Sequence, residues 1–141
     1  MKKLFTTLVV AGALALTACS ANIIKSDSSK SKLEGKGYSV EVYAEAEAKA
    51  RIQNLNYDDV EFVDAVIASK GTGADADVFL GFYFKSVDAA SKFIEKDNYH
   101  NLALMNSWLE NMLGENLETE VGSHNNVAYA ASKTSAAIAI K

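Results

Sequence analysis

The 141-residue chain has no proline, one cysteine, two histidines and one tryptophan. Each scarcity excludes something. Without proline, no slow prolyl isomerisation limits folding. A single cysteine allows no intramolecular disulfide, so the fold rests on its core alone. Two histidines, His100 and His124, outside any HExxH or paired spacing give no zinc signature. No GxSxG elbow occurs, and Gly122-Ser123-His124 does not substitute for one. Gly71-Thr72-Gly73 follows an apolar run but precedes another, whereas a phosphate loop needs a helix N-terminus behind it. Asp75 and Asp77, with Asp58 and Asp59, are too few and too scattered for a calcium loop. The reading is therefore a non-enzymatic chain with no metal and no cofactor.

Charge is unevenly placed. Residues 20–36 carry Lys25, Lys30, Lys32 and Lys36 against Asp27 and Glu34, a net +2. Residues 37–141 hold eight of the 14 cationic residues and sixteen of the 18 acidic ones, a net −8. An acidic body argues against nucleic-acid binding, which needs a basic footprint.

The N-terminus carries the most specific signal. Lys2 and Lys3 precede an apolar run from Leu4 to Leu16, interrupted by Thr6 and Thr7, and the run ends in Leu16-Thr17-Ala18-Cys19. Such a run is too short for a stable transmembrane helix, which needs about 20 residues, and has the form of a secretory signal. Together these residues resemble the lipobox of bacterial lipoprotein precursors. The resemblance covers only the first 20 residues. It implies that residues 1–18 are a cleaved signal peptide and that the Cys19 thiol receives a diacylglyceryl group as a thioether. The chain would then be held on the extracytoplasmic face of a bacterial membrane: the cell membrane, or the outer membrane where one exists. Ser20 follows the cysteine, so nothing here resembles an inner-membrane retention signal.

Residues 19–36 are expected to be the lipidated cysteine and a flexible Ser/Lys linker, and residues 37–141 a single globular domain. Alternation at Tyr38, Val40 and Val42 predicts a strand. Ala44, Ala48, Ile52 and Leu55 predict a helix over 44–55, supported by Glu45–Lys49 and Glu47–Arg51 spacing. Residues 60–70, apolar on both faces, and 78–84, dense in aromatics, predict two more strands, the second central. Ser86 is placed to cap a following helix, and another is expected over 102–113. Strands at 117–121 and 127–131 with a turn over 122–126, then a helix over 134–140, complete the chain. The order resembles the ferredoxin-like βαββαβ arrangement, an α+β fold with an antiparallel sheet and helices on one face.

If one sheet face lacks helix cover, Tyr43, Tyr83 and Tyr129 would form an exposed aromatic platform for a partner. The functional expectation is a membrane-anchored accessory or binding domain, joined to the membrane through Cys19 and suited to an envelope or surface protein. The alternative is a small ligand-binding protein or enzyme with an unmarked pocket.

Overall fold

The computed structural model describes residues 23–53, 55, 57, 60–72, 75–95, 99–113 and 118–141. Its elements are α1 (Ser26–Glu34), β1 (Ser39–Ala44), α2 (Glu45–Arg51), β2 (Asp64–Lys70), β3 (Asp77–Tyr83), α3 (Val87–Glu95), α4 (Tyr99–Leu113), β4 (Glu120–His124), β5 (Val127–Ala131) and α5 (Lys133–Ile140). The strands form one five-stranded sheet in the order β1-β2-β3-β5-β4. Every neighbouring pair is antiparallel. The fold is α+β, as the sequence suggests.

The ferredoxin-like order is not the one found. That arrangement splits a βαβ unit, so its first two strands run parallel with another strand between them. Here β1 and β2 are adjacent and antiparallel, with Ala44 opposite Asp64. The physical reason is length. The α2 helix has seven residues and reaches about 10 Å, whereas a six-residue strand spans about 20 Å. It cannot carry the chain back along the sheet, so β1 and β2 pair as antiparallel neighbours. Lys49 bonds the Val60 carbonyl at 3.1 Å, and Glu45 accepts the Phe62 N–H at 2.8 Å, fixing that connection. The helix stops at Arg51 rather than at Leu55, and the Tyr57 hydroxyl donates to the Ile52 carbonyl just past its end.

Helices cover both faces, not one. The α2, α3 and α4 helices pack on the face bearing Ala65, Ile67, Leu80 and Phe82. On that side Phe62 meets Phe82 edge-on, with ring centroids 5.0 Å apart at 82°. The α1 and α5 helices cover the face bearing Val66, Ala68, Phe79 and Tyr83. A strand pair apolar on both sides requires such double cover. The central position of β3 agrees with its composition.

The largest departure from the sequence reading is α1. Residues 26–34, expected within a flexible linker, form a helix whose Ser29 and Leu33 are fully buried against α5 and the sheet. The folded body therefore begins before Gly37, by Ile24. At the other end of the chain, the β4–β5 hairpin turns at Asn125-Asn126, and Asn125 takes the left-handed φ of 50° that asparagine tolerates better than most residues. Gly122 to His124, expected in the turn, are strand.

Candidate functional site

The residues singled out from sequence do not converge. Residues 1–18 and Cys19 lie outside the described residues, as do Gly73, Asp58, Asp59 and the side chain of His100. The three tyrosines are buried, at 8% exposure for Tyr43, 2% for Tyr83 and 8% for Tyr129. They also lie on opposite faces. Tyr43 belongs to the α2 side, beneath the Arg51 guanidinium at 4.6 Å, with its hydroxyl bonded to Glu41. Tyr83 and Tyr129 belong to the α1/α5 side. The expected platform is thus replaced by core, because helices cover both faces: α2 on the side of Tyr43, and α1 and α5 on the side of Tyr83 and Tyr129.

Gly71 lies in the turn between β2 and β3 with φ of 83°, and the strand after it supplies no helix N-terminus. Asp77 accepts the Tyr38 hydroxyl at 3.3 Å rather than standing free for a cation. Among the described residues no group of three or more histidine, cysteine or acidic side chains gathers to hold a metal ion. No described helix is long and apolar enough to cross a membrane.

What the fold does bring together is a polar seam beneath α1. Ser26 donates to Asp64 Oδ2 at 2.5 Å, and Ser29 donates to the Ala139 carbonyl at 2.8 Å. Asp64 and Tyr83 are opposite one another in the β2–β3 register, so their side chains share this face. Asp64 Oδ1 and the Tyr83 hydroxyl are buried and find no hydrogen-bond partner among the described residues. Burial raises the Asp64 carboxyl above its ordinary range, nearby Asp27 adds to the rise, and the Ser26 hydrogen bond opposes it. Burial likewise raises the Tyr83 phenol, so it remains a proton donor at any physiological pH.

A second tie holds the segment before α1. Asn126, 1% exposed, accepts the Ile24 N–H at 2.6 Å through Oδ1. Its Nδ2 donates to the Ile24 carbonyl at 2.8 Å and the Phe84 carbonyl at 2.9 Å. The amide thus serves as a strand edge for one residue, satisfying the buried Phe84 carbonyl and the two part-buried backbone groups of Ile24. Sequence reasoning passed over Ser26, Ser29, Asp64 and Asn126. The one available signal was the Asn125-Asn126 pair, which marks a turn but not a clamp.

Chemically, the seam joins and orients. It fixes residues 24–34 to the sheet by bonds that reach across the whole length of the fold. Comparison with known protein families, curated proteins and solved structures gives no match.

Proposed function

We propose that this chain is an extracytoplasmic bacterial lipoprotein, lipidated at Cys19, whose folded body is a non-catalytic accessory or binding domain for an envelope or surface partner. The observation that carries this reading is the N-terminal series of Lys2-Lys3, a short apolar run and Leu16-Thr17-Ala18-Cys19. The lone thiol would be a liability in an oxidising compartment, and a thioether removes it.

The docked N-terminal segment sharpens the reading. Ile24, five residues after Cys19, is tied to Asn126. At roughly 3.3–3.6 Å per residue, the body stands within about 17 Å of its anchor even when the intervening chain is fully extended. A flexible linker up to residue 36 would have allowed a wider search. The domain instead works close to the lipid surface, and confinement of this kind raises its effective concentration for other membrane-bound molecules.

Mass spectrometry of protein isolated from native membranes tests the proposal. The expected product begins at Cys19 and carries a diacylglyceryl thioether. Cys19→Ser is expected to accumulate unprocessed or to leave the membrane fraction. A mature N-terminus elsewhere, or a free sulfur at Cys19, overturns it.

A further inference from the structure

Among the described residues β4 is an edge strand of the sheet, and its geometry is self-complementary. The direction of the β4 backbone groups follows from its neighbours. Phe84 N–H donates to the Asn126 carbonyl, and Ser132 N–H donates to the Val78 carbonyl. Even-numbered residues of β5 therefore bond towards β3, and Val127, Tyr129 and Ala131 bond towards β4. Their partners there are His124, Gly122 and Glu120. The N–H and C=O groups of Val121 and Ser123 consequently point away from the sheet. Val121 is 42% exposed and Ser123 is exposed, and among the described residues no strand pairs with this edge.

Edges of this kind are normally blunted by lysine, proline, a bulge or a central charge. The other edge strand, β1, has Glu41 in mid-strand. The middle of β4 is Gly122.

We infer that two copies of this chain pair antiparallel through β4, about a two-fold axis at Gly122. In that register Val121 of one copy faces Ser123 of the other, and each exchanges N–H···O=C bonds with its counterpart. Glu120 faces His124 of the second copy, twice. An imidazole N–H opposite a carboxylate is a favourable cross-strand pair. Shifting the axis by one residue breaks this match: on Val121 it sets Glu120 against Gly122, and on Ser123 it sets His124 against Gly122. The pairing is isologous and closes, so it yields dimers rather than fibres, and it extends the sheet continuously through both copies.

Cysteine cross-linking in the full chain, expressed in its native membrane, reads the register directly. Residues on the axis form a non-hydrogen-bonded pair with Cα atoms about 4.5 Å apart, within the range a disulfide spans. A Cβ at Gly122 meets nothing nearer than the Tyr129 hydroxyl at 3.8 Å, so Gly122→Cys fits the fold. The expected result is a covalent dimer from Gly122→Cys, formed at least about tenfold faster than from Ser123→Cys or Val121→Cys, whose sulfurs lie off the axis. Wild-type chain, with Cys19 alone, sets the baseline. Equal cross-linking at all three positions, none at Gly122→Cys, or adducts only with a different protein overturns the inference. Sedimentation of the detergent-solubilised full chain gives a second readout. Glu120→Lys is expected to lower the dimer fraction, and Glu120→Lys combined with His124→Glu to restore it. Monomers throughout, or a dimer fraction unmoved by either change, also overturn it.

Discussion

Asn126 and Ile24, 102 residues apart in sequence, are joined by a reciprocal pair of hydrogen bonds between one side-chain amide and one backbone unit. A third bond ties the same amide to Phe84. Removing the side chain strands three backbone groups at once, the Phe84 carbonyl buried and the two of Ile24 part-buried. Asn126→Ala is expected to cost about 2–4 kcal/mol, since each unsatisfied buried group costs about 1–3 kcal/mol and water recovers part. Asn126→Asp keeps the acceptor but points a carboxylate at two carbonyls, and should cost at least as much. Urea unfolding of both variants checks this. Loss below about 0.5 kcal/mol for the alanine variant would show that the clamp is dispensable.

Two serines at the start of α5 serve the same residue unequally. Ser132 Oγ accepts the Val78 N–H at 3.0 Å. Ser135 Oγ donates to the Val78 carbonyl at 2.6 Å, but that carbonyl also receives the Ser132 N–H at 2.8 Å. Ser132→Ala leaves a buried donor with nothing, whereas Ser135→Ala leaves the acceptor still paired. The expected losses are about 1–3 kcal/mol for Ser132→Ala and under about 1 kcal/mol for Ser135→Ala. Reversal of that order in thermal or urea unfolding would contradict the assignment.

Gly81 lies between Phe79 and Tyr83 on one face of β3. A Cβ there would come within 2.7 Å of the buried Phe79 ring and 3.2 Å of the Tyr83 ring. Neither ring has room to retreat, so Gly81→Ala should destabilise by about 1–3 kcal/mol through overpacking. At Gly122 the nearest atom is 3.8 Å away, and alanine there should be tolerated. Comparing the melting temperatures of the two variants separates steric demand from a general intolerance of substitution in strands.

The raised Asp64 carboxyl gives the fold a pH signature. Between the range of an unfolded aspartate and the higher folded value, the native state holds the extra proton. Stability therefore falls as pH rises through that window, from about pH 4 upward, and the loss is complete above the folded value. Asp64→Asn retains an acceptor for Ser26 and removes the buried titrating carboxyl. It should raise Tm at pH 7 and flatten this segment of the stability profile. A lower Tm at pH 7, with the pH dependence unchanged, would assign the shift to another group.

The strands were readable because their chemistry is ordinary. Residues 64–70 and 77–83 are apolar on both faces, and the helix after Ser86 is capped as expected, with the Ala89 N–H donating to Ser86 Oγ at 3.1 Å. The α1 helix was hidden because serine takes the place of an apolar residue. Ser26, Ser29 and Leu33 have helical spacing, but only leucine registers as hydrophobic. The small serines are buried by polar contacts instead, Ser29 against the Ala139 carbonyl of α5 and Ser26 against Asp64 of β2. The tyrosines misled for a different reason. Tyr43 lies opposite Ala65 and Tyr83 opposite Asp64, adjacent positions in β2 and hence opposite faces of the sheet. That parity depends on register, which composition does not reveal. The polar seam depends on the same register and on a helix whose presence the sequence concealed.

The contact between α1 and α5 has a mechanical consequence. Traction applied between the segment before Ile24 and the chain's last helix would fall first on the Asn126 amide and on Ser29 against Ala139. The five-stranded ladder, paired antiparallel along every strand, is held by many more bonds than these two ties. Under tension the molecule should shed its outer helices while the sheet beneath keeps its pairing, so the bonds at these two places act as its fuse.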